Sequence, residues 1–510
     1  MHVFETILVL LIGATLLSSL ARRVNIPYPT LLAAGGALIA FIPGAPRLDL
    51  PPDLILALFV APILLDAAYD ASLRDLRRDW APVLSLVLVA VAVTTIAVAV
   101  TARAMLPDMP WAAAIALGAL VAPPDAVAAL AVMRQVDPPY RIRMVLEGES
   151  LLNDASALLI YRLAVGAVAA GSFSASSALP TFGLVVLGSV IVGWLLAWPV
   201  RRIVSRIADA PSSVIIQFVL TFTVWLVAER LGLSGVVTIV VFGLTMARGN
   251  VAQMAAHLRI PSFAIWETVT VVLNVLAFTL IGLQLRPILE PLSVAERWRY
   301  LGIAVAILAV AIVVRIAWVM VHHFGERLWG RIFAREVSTD IRKPLVIGWS
   351  GMRGIVSLAA ALALPEPFPY RDFILLAAFV VVLGTLVIQG VTLGPLLGLL
   401  KFARDTTVER ELGLARKAAM KAAMRELDGD ESAAAERLRR EYAEALDEAK
   451  RGGDPRDSTE NAIRRRLVSA SRSAIEELRG SGAIGDAAYR QAEEELDWLE
   501  LSARPRGARE

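Results

Sequence analysis

The sequence predicts an all-α membrane protein with a helical cytosolic domain at its C-terminal end, and three observations lead to that fold class. Of the 510 residues, 57% are hydrophobic, and the mean hydropathy of +0.64 is far above that of an average soluble domain. Up to residue 402, long apolar runs alternate with short polar breaks, whereas residues 403–510 are dense in Arg, Glu and Ala. We therefore predict a transmembrane domain over 1–402 and a cytosolic domain over 403–510.

Composition also excludes several kinds of site and partner. The net charge of +3 gives no indication of nucleic-acid binding, and the chain has no Cys and only four His, none with zinc-site spacing. The first apolar run, Phe4 to Leu20, has no basic segment before it, and Arg22 and Arg23 follow it. We interpret this run as a membrane anchor whose N-terminus lies outside, not as a cleaved signal peptide.

A helix that spans the bilayer needs about 20 apolar residues, and the chain offers thirteen such runs. They cover approximately 4–21, 29–43, 53–67, 80–104, 111–133, 143–170, 180–203, 213–230, 233–248, 262–283, 299–324, 343–364 and 371–400.

The distribution of positive charge supports this count. With the N-terminus outside, the predicted inner breaks hold 18 Arg and Lys residues and the outer breaks hold 7. Inner loops normally carry the excess, so thirteen spans place the C-terminal domain in the cytosol. We predict a multi-pass protein of the plasma (inner) membrane that contacts lipid.

A few charged residues lie within or at the ends of the apolar runs. Such residues usually face a cavity or a partner and mark the path of an ion or a proton, because burying a charge in lipid costs about 2.5–3.5 kcal/mol. They are Asp66, Asp125, Glu149, Asp154, Glu229, Arg230, Glu267, Arg315 and Arg353.

Two spans contain helix-breaking residues. Pro123 and Pro124 remove two N–H donors from the fifth span, and three glycines between 348 and 354 loosen the twelfth. Broken helices in two halves of a membrane protein are typical of inverted-repeat transporters. We therefore predict two three-helix repeats, over about 80–170 and 299–400, with a site where the broken helices cross.

Carboxylates near one break suggest what that site binds. Glu149 and Asn153 are four residues apart on a helix, as are Ser150 and Asp154, so each pair shares a face. Asp125 lies at the break of the preceding span. Oxygen ligands of this kind suit a small hard cation, so Asp154, Asp125 and Ser150 are predicted to bind Na⁺ or, in competition, a proton.

Three motifs resemble the monovalent cation–proton antiporters of the first cation/proton antiporter family, the bacterial sodium/proton exchangers. They are "LGALVAPPDAVAA" at 117–129, "GESLLNDASA" at 148–157 and "GWSGMRGIVSLAAALALP" at 348–365, and the resemblance covers 1–402. It implies about thirteen helices, a six-helix core with two crossing broken helices, a homodimer, and electroneutral exchange of Na⁺, Li⁺ or K⁺ for H⁺ without a cofactor. The protein is then a transporter and not an enzyme.

The resemblance also implies roles for individual residues. Asp154 becomes the central carboxylate that binds cation or proton, Asp125 the second aspartate and Ser150 a ligand. Asp66, in "APILLDAA", matches a position where the family often has an acidic residue.

The supporting residues implied by the resemblance surround these carboxylates. Asn153 precedes the central aspartate, Glu149 is expected to pair with Arg315, and Arg353 is expected to hold the broken helices together.

The chain departs from the family pattern at the second aspartate. Many members have Thr-Asp-Pro where this chain has Pro124-Asp125-Ala126, so the Thr hydroxyl is replaced by the Pro124 backbone carbonyl as an available ligand. The Asn–Asp pair resembles the electroneutral branch. No lysine precedes Lys343, which weakens an electrogenic mechanism based on a membrane lysine.

Several alternatives remain open from the sequence. A K⁺/H⁺ antiporter or an organic-ion exporter would share the same core, an ion channel would need a filter that is not visible, and an intramembrane hydrolase would need a motif that is absent. Asp154 would also suit the N-terminal end of a helix, with no transport role. Glu149, Arg315 and Arg353 would serve equally as structural ion pairs.

The cytosolic domain is predicted to be helical, over roughly 406–427, 431–451, 457–479 and 484–501. It either supports dimerisation or senses pH or an unidentified partner.

Overall fold

Helices account for the regular structure throughout the described part of the chain, with no β-strand among those residues. The structure is a computed structural model, and it describes residues 2–24, 26–42, 51–136, 138–170, 175–204, 206–207, 209–250, 256–332, 340–451, 459–481, 483 and 486–503.

The helices up to residue 250 cover most of the apolar runs predicted in that part of the chain. They are α1 (His2–Val24), α2 (Tyr28–Ile39), α3 (Pro52–Ile55), α4 (Ala61–Asp70), α5 (Leu73–Arg78), α6 (Trp80–Leu84), α7 (Val91–Met105), α8 (Trp111–Val121), α9 (Ala126–Val136), α10 (Tyr140–Ala170), α11 (Ala175–Val204), α12 (Ala210–Arg230) and α13 (Gly235–Asn250). Wider π-helical turns over Leu56–Val60 and Ser85–Ala90 join α3 to α4 and α6 to α7.

The remaining helices complete the apolar region and then form the C-terminal region. They are α14 (Ala256–Leu283), α15 (Leu285–Leu289), α16 (Val294–Ile332), α17 (Arg342–Trp349), α18 (Ile355–Leu362), α19 (Arg371–Leu400), α20 (Thr407–Glu426), α21 (Ala433–Arg451), α22 (Thr459–Gly480) and α23 (Asp486–Ala503).

Within the described ranges, eight helices are long and apolar enough to cross a membrane by length and composition. They coincide with eight of the predicted spans. Of the other five predicted spans, 29–43, 53–67, 233–248 and 343–364 fall on helices that are shorter or interrupted, and 4–21 lies within the 23-residue α1. An all-helical fold with at least eight apolar helices is thus established, and the count of thirteen stays a prediction.

Both predicted interruptions are present. One helix ends at Val121 and resumes at Ala126, and the other ends at Trp349 and resumes at Ile355. Both breaks are followed by a short buried helix, because proline and glycine stop the backbone hydrogen-bond ladder only locally.

Small residues let some helices pack backbone to backbone. A Cβ atom at Gly36 of α2 would lie 2.5 Å from the carbonyl oxygen of Thr279 on α14, closer than side-chain contacts allow. A Cβ atom at Gly118 of α8 would similarly lie 2.9 Å from Cα of Thr95 on α7. Such close approaches are the usual way in which membrane helices associate.

The chain divides into two compact units, Met1–Arg404 and Asp405–Glu510. The second unit contains α20–α23, whose bounds lie close to the four predicted helices, and it has a buried Ala435 and Val468. The assignment of the units to membrane and cytosol stays a prediction.

Candidate functional site

The two helix breaks touch each other through their backbones. The N–H of Asp125, in the break between α8 and α9, donates a hydrogen bond of 2.6 Å to the carbonyl of Met352, in the break between α17 and α18. The carboxylate of Asp125 lies so close to Gly354 that a Cβ atom there would be 2.6 Å from the Asp125 Cγ. The crossing therefore needs a residue without a side chain at position 354.

Two side chains of α10 form hydrogen bonds with backbone groups at the first break. Ser150 Oγ accepts a hydrogen bond of 3.2 Å from the Ala126 N–H, and Asn153 Nδ2 donates one of 2.8 Å to the Pro124 carbonyl. The Ala126 N–H at the start of α9 and the Pro124 carbonyl in the break have no partner within a helix, so these side chains supply one. The Pro124 carbonyl, considered above as a ligand, is thus already hydrogen-bonded by Asn153.

The two aspartates differ in their surroundings. Asp125 Oδ1 accepts a hydrogen bond of 2.8 Å from the Val127 N–H and so caps the start of α9. Asp154 is buried, and among the described residues no hydrogen bond to its carboxylate is found. The two carboxylates are near enough to interact electrostatically. Their combined oxygens are hard ligands in an apolar surrounding.

Asp154 does not lie at a helix end. The helix that carries it begins at Tyr140, so Asp154 lies about 21 Å along the axis at 1.5 Å per residue. The helix dipole acts only within the first turn, which rules out the interpretation of Asp154 as a simple N-terminal charge.

Arg353 fills the crossing of the broken helices and is fully buried. Its Nε donates a hydrogen bond of 2.9 Å to the Val121 carbonyl at the end of α8, and its guanidinium also reaches the carbonyls of Gly351 and Ala311. The backbone N–H of Arg353 donates a hydrogen bond of 3.0 Å to Thr385 Oγ1. A cation is electrostatically favourable at the C-terminal end of a helix, here α8. Through these hydrogen bonds Arg353, in the break before α18, is connected to α8, α16 and α19.

A second buried arginine joins α10 to the other break. Arg315 forms two hydrogen bonds with the Glu149 carboxylate, of 2.5 and 2.8 Å, and a third of 3.2 Å with the Ile347 carbonyl. Both side chains are at most 3% exposed. This bidentate arrangement neutralises the Glu149 charge.

Asp66 lies elsewhere. Its Oδ2 accepts a hydrogen bond of 3.3 Å from Thr270 Oγ1 on α14. With Tyr69, Gln217 and Trp266 it lines a cavity of about 70 Å³ between α4 and α11–α14, and neither Asp125 nor Asp154 lines that cavity. The structure thus separates Asp66 from the other predicted ligands.

Two features of the site were not anticipated. Thr385 supports the backbone of Arg353, although nothing in its apolar sequence context distinguishes it from other threonines. The Oδ1 atom of Asn153 is buried without a hydrogen-bond partner, next to Asp154 along the chain. A buried acceptor without a partner is costly and commonly marks a functional position. The described residues contain no group of three or more His, Cys, Asp or Glu that would hold a resident metal ion.

The sequence of the chain matches the model of a known protein family. The family model described as "Sodium/hydrogen exchanger, transmembrane" matches residues 7–399, which is most of the chain. The chain belongs to the sodium/hydrogen exchanger family. Both helix breaks and the whole of α10 lie inside the matched range.

Individual members of the exchanger family are similar over much of their length. The chain is 32% identical over 415 residues to the "Sodium, potassium, lithium and rubidium/H(+) antiporter" of Bacillus pumilus (strain SAFR-032). The match covers 78% of this chain, and the chain spans only 61% of that relative. It is 28% identical to the uncharacterized Na(+)/H(+) exchanger YjcE of Escherichia coli (strain K12), over 98% of both chains. These relatives are transporters and not enzymes.

The exchanger fold has also been solved. The sodium proton antiporter MjNhaP1 from Methanocaldococcus jannaschii at pH 8 superposes with a TM-score of 0.62 and 18% sequence identity. The match covers 78% of this chain and 99% of that one. This similarity establishes the antiporter fold of the apolar unit.

Proposed function

We propose that the protein is a secondary active antiporter that exchanges Na⁺ or Li⁺ for H⁺ across the plasma membrane by alternating access. The observation that carries this proposal is the contact between the two helix breaks at Asp125, with Asp154 buried nearby on an unbroken helix. Broken helices that meet near a buried carboxylate are how transporters of this architecture form an ion site. One proton or one cation binds at these oxygens at a time, so loading one requires release of the other.

The proposed exchange is electroneutral, with one proton exchanged for one monovalent cation. The Glu149 charge is paired with Arg315, Asn153 is neutral, and Arg353 is held by carbonyl groups. Asp125 and Asp154 are then the carboxylates of the crossing without an ionic partner among the residues described. Replacing one proton by one monovalent cation leaves the charge of the site unchanged.

We propose that the N-terminus lies outside and the second unit in the cytoplasm. The contacts of α10 support the alternation of the spans on which this proposal rests, because they join residues predicted to lie on the same side. Near one end of the helix, Arg141 pairs with Asp79 at 2.7 Å, and both lie in breaks predicted to be cytoplasmic. Towards the other end, Arg162 pairs with Glu229 at 2.8 Å, and both lie near predicted outer ends. A miscounted span would have brought residues of opposite sides together.

The same site would also serve a K⁺/H⁺ antiporter. The Bacillus relative is named as an antiporter of potassium and rubidium as well as sodium and lithium. In this chain, Ser150 Oγ already accepts a hydrogen bond from the Ala126 N–H, which leaves it a weaker ligand. A site with few strong ligands discriminates weakly by size. We propose Na⁺ or Li⁺ as the cargo, a homodimer as the assembled form and a regulatory role for the second unit.

The test uses proteoliposomes of the purified protein. A pH gradient is imposed, Na⁺, Li⁺ or K⁺ is added in turn, and internal pH is followed with and without a potassium–valinomycin voltage clamp. We expect Na⁺ and Li⁺ to collapse the gradient at a rate that the clamp does not change. A response to K⁺ alone would refute the cargo, and a voltage-dependent rate would refute electroneutrality.

The matched control is Asp154→Asn, which keeps the size of the side chain and removes its charge and its titration. We expect no cation-dependent proton movement in that variant. Activity equal to the unmodified protein would refute the assignment of Asp154.

A further inference from the structure

The turn between α12 and α13 is a rigid corner. Gly232 has a left-handed φ of 70°, the Leu233 N–H bonds the Ala228 carbonyl at 2.9 Å, and the Gly232 N–H bonds the Glu229 carbonyl at 3.0 Å. This pair of bonds is a Schellman motif, which fixes the end of a helix. On the other side of the turn, the Ser234 N–H donates to Ser189 Oγ of α11 at 3.0 Å. Three helices therefore hold the corner in one shape.

Arg162 of α10 inserts its guanidinium into this corner. Its Nη2 donates to both oxygens of the Glu229 carboxylate, at 2.8 and 3.1 Å, and its Nη1 donates to the Leu233 carbonyl at 3.3 Å. Glu229 Oε1 also accepts a bond of 3.4 Å from the Gly235 N–H at the start of α13. The corner thus offers a carboxylate and a carbonyl in a fixed geometry, which suits the planar fork of an arginine.

The pair links two groups of helices that alternating access must move apart. Arg162 lies eight residues after Asp154 on the same helix, about 12 Å along its axis. Glu229 lies on α12, outside both predicted three-helix repeats. Any sliding of α10 past α12 and α13 must therefore break these bonds.

The strength of the pair suits a contact that opens in each cycle. The side chains of Arg162 and Glu229 are 45% and 36% exposed, so water competes for both charges. Pairs of this exposure are weak and easily broken. The buried Glu149–Arg315 pair, by contrast, joins helices within the predicted repeats and stays shielded from water.

Resting on the proposed function, we propose that Arg162 and Glu229 form an outer latch that closes the path between α10 and the α12–α13 corner and opens once in every exchange cycle. The latch positions α10, and with it Asp154, in the state described by this structure. It does not bind the transported ion.

The absence of cysteine in the natural chain permits a direct test. Arg162→Cys and Glu229→Cys are combined in the full-length chain, reconstituted, and joined by bis-methanethiosulfonate reagents with a series of spacer lengths, in which each thiol forms a disulfide and displaces methanesulfinate. We expect the shortest effective linker to stop Na⁺/H⁺ exchange and reduction to restore it. Arg286→Cys/Glu290→Cys is the matched control, because that pair has the same 2.8 Å separation and similar exposure within one local segment. Full exchange in the linked 162–229 variant would overturn the latch.

Charge variants give a second readout that does not depend on linking. Arg162→Gln and Glu229→Gln should each shift the apparent cation affinity by about twofold to fivefold in the same direction, the range for a partly exposed pair. The two changes combined should have no larger effect than either one alone. Independent effects of the two single changes would overturn the latch. The unmodified chain is measured in parallel: if it shows no exchange, the proposed function fails, not the latch.

Discussion

Replacing Gly354 by alanine tests whether the crossing of the broken helices sets the position of Asp125, one of the carboxylates proposed to bind the ion. Gly354 has φ −127° and ψ −158°, an extended conformation that alanine adopts readily, so the substitution does not strain the backbone. The new Cβ atom would lie 2.6 Å from the Asp125 Cγ, whereas carbon atoms prefer separations of about 3.5–4.0 Å. The carboxylate must therefore move by about 1 Å.

We predict that this displacement of the carboxylate has a large effect on exchange, because two hydrogen bonds restrain Asp125. Its own N–H is bonded to the Met352 carbonyl at 2.6 Å, and its Oδ1 is bonded to the Val127 N–H. Misplacing a reacting group by about 1 Å costs on the order of 100-fold in rate. We expect Gly354→Ala to lower the exchange rate in proteoliposomes by about that factor.

The control for this experiment is Gly302→Ala, because nothing lies within 4 Å of a Cβ atom there and alanine favours the helix. Thermal unfolding in detergent shows whether each variant is folded. A folded Gly354→Ala protein that exchanges within about threefold of the unmodified rate would refute the reasoning, because the magnitude of the loss rests on the displaced carboxylate.

Three further predictions concern α10. Asp154→Asn should abolish cation-dependent proton movement in proteoliposomes, since it removes the group proposed to bind proton and cation in turn. Arg315→Met should lower the free energy of unfolding by about 3–5 kcal/mol, because it leaves the Glu149 carboxylate buried and unpaired, and adding Glu149→Gln should recover part of the loss. Tyr140→Phe should lower the Tm at neutral pH, because it removes a hydrogen bond of 2.8 Å to Asp75. Burial acts to raise the pKa of Asp75, but hydrogen bonds hold that pKa below its ordinary value, so the Tm difference should shrink as the pH falls through it. A Tm difference that is unchanged in acid would contradict this last assignment.

Much of the fold was predictable because its signals are local. Apolar runs long enough to cross a bilayer, two adjacent prolines and a cluster of glycines determine where helices form and stop, and the structure has its breaks at 122–125 and 350–354. The inverted symmetry of the two repeats stays a prediction, as do the cytosolic placement and the role of the second unit. Helices shorter than a full span, such as Tyr28–Ile39, explain why counting by length gives eight instead of thirteen.

The sequence by itself determined which residues are unusual, since a carboxylate such as Asp154 inside an apolar run stands out without any knowledge of its neighbours. Apart from the Glu149–Arg315 pair, which the family resemblance implied, only the tertiary structure decided which of these residues meet. Glu149 and Arg315 are 166 residues apart, and the bond between Asp125 and Met352 joins two breaks from different halves of the chain. Asp66 is as unusual in sequence, yet helix packing places it at a cavity that neither Asp125 nor Asp154 lines. The physical reason is that helical periodicity fixes neighbours only within a few turns, whereas contacts between helices depend on how their faces pack in three dimensions.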